Sequence, residues 1–152
     1  LIEGTPTLGS FNQEYFLKDQ LVLAFNPSNN QLINIKSYEE LNNHLWIVRE
    51  DGSGSREYFN MFLESNKIIP NKILVLGSNS AIKEAVKNNL GITLTSSLVT
   101  EAAVANREIC INTFNDKYYR YFSYITPKNI TMSKTIQVFI DELNDFSKKT
   151  SC

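Results

Sequence analysis

Ser53, Ser55 and Arg56 close the segment Glu50-Asp51-Gly52-Ser53-Gly54-Ser55-Arg56. This mixture of hydroxyls, glycines and a guanidinium suits the capture of a small oxyanion. Gly52 and Gly54 let a ligand approach the backbone, the serines donate hydrogen bonds, and Arg56 offers a cationic fork matching a carboxylate or sulfate. A second polar turn, Gly77-Ser78-Asn79-Ser80, offers hydroxyl and amide chemistry of the same kind. For either turn alone, helix capping is an equally good account, because serine caps helix N-termini throughout proteins. Both turns, however, stand between the end of an apolar strand-like run and the start of an amphipathic helix. Open α/β sheets hold ligands at that position, which favours binding for the pair.

Catalytic chemistry finds little support. His44 is the one histidine, it lies between Asn43 and Leu45, and no G-x-S-x-G nucleophile elbow accompanies it, so a structural role is expected. The acidic pairs Glu39-Glu40 and Glu50-Asp51 read as solvated or helix-dipole residues rather than as an acid and base. No Lys-Ser/Thr follows the glycines at P-loop spacing and there is no G-x-G-x-x-G fingerprint, so a nucleotide site has weak support. Cys110 and Cys152 are far apart, no His/Cys/Asp cluster has metal-ligand spacing, and Cys110 reads as a buried free thiol. Neither an enzyme, a metal nor a cofactor is expected.

The elements that would position the two turns follow from periodicity. Gln20–Phe25 is a strand stopped by the Asn26-Pro27-Ser28-Asn29-Asn30 cluster. Ser37 and Glu40 have capping-box spacing for a short helix through Asn43, ahead of a strand over 45–49. From Ser55, the residues Tyr58, Phe59, Phe62 and Leu63 fall at helical spacing and read as core; Pro70 lies in the break that follows, and 72–76 is a short buried strand. A helix carrying Ala81, Ile82, Ala85 and Val86 ends at Asn88-Asn89, where asparagine tolerates the left-handed backbone. Residues 92–95 form a strand, Ser96-Ser97 cap a helix with Leu98, Val99, Ala102 and Ala103, and 118–126 is a longer aromatic strand. Ser133 opens a last helix with Ile136, Phe139, Ile140, Leu143 and Phe146 on one stripe. Alternation of helix and strand gives an α/β class with a mainly parallel sheet or sheets.

With 152 residues and 42% hydrophobic content, the chain has material for one compact domain or two small lobes. A net charge of -1 provides no basic field for nucleic acid or an acidic membrane. No run is long enough to span a bilayer and the start LIEGTPTLGS lacks the features of a secretion signal, so a cytoplasmic protein is expected. Leu1 opens what reads as mid-strand, which suggests a longer parent chain.

Trp46-Ile47-Val48-Arg49 leading into Glu50–Arg56, then Leu76–Lys83, Ala85-Val86 and Leu90-Gly91-Ile92, resemble in order and spacing the effector-binding domain of LysR-type transcriptional regulators. The resemblance extends over nearly the whole chain, from Leu1–Gly4 through Leu21–Phe25 to Ser133–Phe146. It departs at Asn89, where glycine is common before Leu-Gly-Ile. It implies two Rossmann-like lobes of the periplasmic-binding-protein type II kind, joined by two crossover strands, with an effector held in the cleft. On that template lobe I takes residues 1–25 and 97–150 and is incomplete, and lobe II takes 26–96. The matching effector-site positions are Gly4, Thr5, Ser53, Gly54, Ser55, Arg56, Ser78, Asn79, Ser80, Thr95 and Ser96. The resemblance further implies a small, anionic effector, self-association as a dimer or tetramer, and DNA binding only through an N-terminal helix-turn-helix with no counterpart here. A solute-binding receptor for a small oxyanion, or an enzyme on the same two-lobed fold, are the alternatives.

Overall fold

The computed structural model describes residues 2–3, 11–114, 118–128 and 131–150. They form a mixed α/β protein whose chain packs as two compact units, 1–19 with 119–152 and 20–118. The chain passes between them twice, within strand β2 (Phe11–Phe25) and at the start of strand β7 (Tyr118–Pro127).

In the unit of 1–19 and 119–152, β1 (Ile2–Glu3) pairs antiparallel with β7, Ile2 opposite Ser123 and Glu3 opposite Phe122. The predicted 118–126 strand is present, whereas β2 begins nine residues before the expected Gln20. Residues 11–19 escaped notice because their side chains are mainly exposed and their apolar positions do not alternate cleanly. Aromatic pairs Tyr15–Tyr121, Phe16–Phe122 and Phe16–Tyr124 link this stretch to β7. Asp19 and Arg120 form a buried ion pair at 2.7 Å. The helix α4 (Lys134–Thr150) starts where expected, with the Ser133 carbonyl accepting from the Gln137 N–H. Its apolar stripe is not a buried one in this unit: Ile140 is buried, but Ile136, Phe139 and Phe146 are exposed.

In the unit of 20–118, β3 (Leu45–Val48) pairs parallel with β4 (Lys72–Val75), Leu45 opposite Lys72 through Val48 opposite Val75. On its other side Trp46 makes a parallel bridge to Ile92, just before β5 (Thr93–Ser96). The carboxyl-terminal half of β2 pairs antiparallel with both β5 and β6 (Cys110–Asn112). The expectation of mainly parallel pairing is therefore corrected: β1–β7, β2–β5 and β2–β6 are antiparallel, because β2 and β7 are not joined to those partners by βαβ crossovers.

Alternation along these strands sorts the side chains into two cores. Leu21, Leu23, Phe25, Trp46 and Val48 face one way and pack with Phe59 and Phe62 of α1 (Gly54–Asn66). Ala24 and Ile47 face the other way, toward Ile82, Ala85 and Val86 of α2 (Asn79–Lys87) and Ala103 of α3 (Ser97–Ala105). Trp46, Phe59, Phe62, Phe114 and Tyr118 make a ring cluster with centroid separations of 5.0–6.3 Å, a spacing that favours aromatic attraction. Ser37 and Glu40 form the expected capping box on a 3-10 turn over Tyr38–Asn43. Asn89 adopts φ 58°, the left-handed conformation expected of it.

Two local expectations change. β4 is not buried: Ile73 and Val75 are 44% and 51% exposed, since among the described strands it has β3 alone as a neighbour and one of its faces is left uncovered. On α3, Leu98 is exposed while Thr100 and Ala103 are buried. Cys110 is free but half-buried rather than buried.

Candidate functional site

Because β3, β4 and the Ile92 segment run parallel, the polar turns that follow them open at one edge of the sheet. The first turn runs from Arg49 into α1. Gly52 there takes φ 86°, which a side chain would strain, and Ser53 caps α1 by accepting from the Arg56 N–H at 3.2 Å. Gly54 and Ser55 lie in the first turn of that helix and are half-buried. In the second turn Ser78 caps α2, accepting from the Ala81 N–H at 3.1 Å, with Asn79 and Ser80 next in line. The third is the junction of β5 and α3, where Ser96 accepts from the Leu98 and Val99 N–H groups and Thr95 is half-buried. Gly4 and Thr5 lie outside the described residues.

Ser53, Ser78 and Ser96 thus all act as caps, and capping aligns three helix N-termini with their N–H groups toward the same edge. Two further residues that sequence reasoning did not single out, Arg49 and Lys83, stand beside these turns. Arg49 donates from Nη1 to Asn79 Oδ1 at 3.4 Å, tying the first turn to the second. It also forms a two-pronged pair with Glu50, Nε to Oε2 at 2.8 Å and Nη2 to Oε1 at 2.7 Å. That pair, through the hydrogen bonds from Arg49 before all other causes, holds the Glu50 carboxyl down at about 2. Lys83 lies one helical turn beyond Asn79, on the same side of α2.

Asn79, Lys83, Thr95 and Thr100 line a single narrow crevice between α2, α3 and β5, floored by Ala24, Val86 and Ile109. Its volume of about 10 Å³ admits at most one water, so a metabolite would sit across its mouth or widen it. Thr100 is committed to the Ser96 and Ser97 carbonyls, whereas Asn79 and Thr95 come from two different turns of the expected set.

Arg56 is engaged within its own turn through two of its guanidinium nitrogens. Its Nη1 donates to the Arg49 carbonyl at 3.2 Å, its Nε to Asn60 Oδ1 at 3.1 Å, and Asp51 lies 3.4 Å away. It braces the turn. A lysine on a helix reads as a solvated charge, which hid Lys83; its spacing of four residues from Asn79 was the signal that could have found it. Arg49 was hidden by its place at the end of an apolar run.

Two larger depressions lie elsewhere in the same unit. One of about 370 Å³ is lined by residues that include Ile33, Lys36, Tyr38, Asn112 and Phe114, and one of about 440 Å³ by residues that include Pro27, Val104, Arg107 and Cys110. Neither contains an expected site residue. His44 stands at the opposite end of β3, and burial pushes its pKa down, favouring the neutral ring. Among the described residues no group of His, Cys, Asp or Glu could hold a metal ion, and no helix is long and apolar enough to cross a membrane.

The profile of the LysR substrate binding domain matches residues 1–148. The HTH-type transcriptional regulator CysL of Bacillus subtilis is 35% identical over 148 residues, covering 94% of this chain and 48% of that protein. The chain thus spans about half the length of the relative it matches. Among solved structures, the regulatory domain of CcmR from Synechocystis in complex with 2-PG superposes with a TM-score of 0.78 at 26% identity, covering 97% of this chain and 72% of that one. The effector-binding domain of QuiR in complex with shikimate gives a TM-score of 0.73 at 18% identity, covering 92% and 66%. These likenesses identify the fold as the periplasmic-binding-protein type II kind.

Proposed function

This chain belongs to the LysR substrate-binding domain family, and on that premise we propose that it is the ligand-sensing domain of a LysR-type transcriptional regulator, taking a small anionic metabolite at the strand-end edge of residues 20–118. The observation that carries the site is the convergence of Asn79 and Thr95 on one crevice beside Lys83. A neutral amide, a hydroxyl and an ammonium are a fitting donor set for a carboxylate or phosphate. The Ser53–Arg56 turn, linked through Arg49, and the aligned helix N-termini add donors and favourable field. Gly4 and Thr5 stay within the proposed set. Relatives that hold 2-PG and shikimate support a small oxygen-rich ligand, and relatives named as transcriptional regulators support a sensor over a solute receptor or an enzyme.

For the whole protein we propose DNA binding through an N-terminal helix-turn-helix, self-association as a dimer or tetramer, and a cytoplasmic location. The lobes stay as proposed, lobe I holding residues 1–25 and 97–150 and lobe II 26–96; the compact units, 1–19 with 119–152 and 20–118, divide the chain at different points. The exposed stripe of Ile136, Phe139 and Phe146 fits a lobe I that additional elements complete. The effector must bind one lobe arrangement better than another, and a coupling of roughly 1–3 kcal/mol is typical.

The test is calorimetric titration of the full-length protein with 2-PG, shikimate, inorganic sulfate and inorganic phosphate. Asn79→Ala and Thr95→Ala are each expected to weaken the responding ligand about tenfold, the loss of one charge-assisted hydrogen bond. Unchanged affinity in both variants refutes the site.

A further inference from the structure

We propose that Gln20 is a ligand contact that sets specificity at this edge, its side-chain amide donating to an acceptor oxygen of the effector. This rests on the reading of the Asn79–Thr95 crevice as the ligand site. Gln20 Nε2 is buried and has no hydrogen-bond partner among the described residues. A buried amide donor without an acceptor costs free energy, so such a group is met by an ordered water or by a bound ligand, or the loss is tolerated.

Strand register puts Gln20 on the face of the sheet that carries the crevice. In the antiparallel β2–β5 ladder Ala24 lies opposite Thr93 and Val22 opposite Thr95, and directly opposed residues share a face. Side chains alternate along β2, so Gln20 joins Val22 and Ala24 on the face that carries Thr93 and Thr95. Leu21, Leu23 and Phe25 are on the other face, with the α1 core. Ala24, Thr93 and Thr95 line the crevice together with Asn79 and Lys83. Gln20 is the next position along this face beyond the Val22–Thr95 pair, on the side where β5 gives way to α3. An oxygen of a ligand lying beside Thr95 at the N-terminus of α3 would therefore find a second donor in Gln20.

Gln20→Met and Gln20→Leu keep the volume and remove the donor; Gln20→Glu places an acceptor there. Full-length protein is titrated with 2-PG, shikimate, inorganic sulfate and inorganic phosphate, and melting temperatures are recorded without ligand. The expected result is a loss of about tenfold or more in affinity for Gln20→Met and Gln20→Leu, with an unliganded melting temperature unchanged or raised. Gln20→Glu is expected to abolish binding of the anion. If Asn79→Ala weakens the ligand while all three Gln20 variants bind within twofold of the parent, the role of Gln20 is refuted and the site stands. If the Met and Leu variants lower the unliganded melting temperature by several degrees, the amide is satisfied within the fold and the proposal fails. If the parent binds none of the four probes, the anion site itself fails and Gln20 with it.

Discussion

Arg56 and Arg49 both hold the first polar turn in place. Arg56 is committed to the Arg49 carbonyl and Asn60, so Arg56→Ala is expected to lower unfolding stability by about 1 kcal/mol in urea titration, the net worth of an ordinary hydrogen bond. Its ion pair with Asp51 adds little, because Asp51 is almost fully exposed. Arg49 acts on Glu50, whose carboxyl sits at about 2 instead of the ordinary 4.5. A depressed carboxyl pKa stabilises the fold fully above the unfolded value and the gain is lost as pH falls toward the folded one. Glu50→Gln is therefore expected to flatten the dependence of the urea midpoint on pH between about 4.5 and 2, leaving the slope above pH 5 unchanged. The capping serines were legible in the sequence because their chemistry is local. The Arg49–Asn79 contact spans thirty positions of sequence and was not legible.

At the scale of elements, the backbone of Gly91 is pressed against β3. A side chain added there would collide with the Leu45 carbonyl, in the place where Ile92 N–H donates to Leu45 O at 2.9 Å. Gly91→Ala is expected to cost about 1–3 kcal/mol of stability, measured by chemical denaturation, as is usual for overpacking. Phe62, 2% exposed and packed edge-on to Tyr38 and Tyr118, anchors α1. Phe62→Ala is expected to cost about 3–5 kcal/mol in the same measurement. The α1 stripe, the capping box at Ser37 and the helix end at Asn89 were all readable, since each is fixed by side-chain period or by one residue's backbone preference. The exposure of β4 and of the α4 stripe was not, because an apolar run records only that a surface is to be covered. Pairing decides whether the cover is present, and sequence period is blind to pairing. The same blindness made antiparallel ladders read as parallel ones.

At the scale of the molecule, the proposed effector site gathers the N-termini of α1, α2 and α3 within the unit of 20–118. A ligand that binds only the native protein stabilises it, so a probe present at a hundred times its dissociation constant is expected to add about 2.7 kcal/mol to unfolding. Amide hydrogen exchange then reports where the stabilisation arises. With 2-PG or inorganic sulfate saturating the full-length protein, slowed exchange is expected over residues 20–22, 49–56, 76–83 and 93–97, the two polar turns and the β2–β5 face between them. Slowed exchange confined to residues 27–38 and 104–114, around the two larger depressions, would contradict the assignment of the effector site.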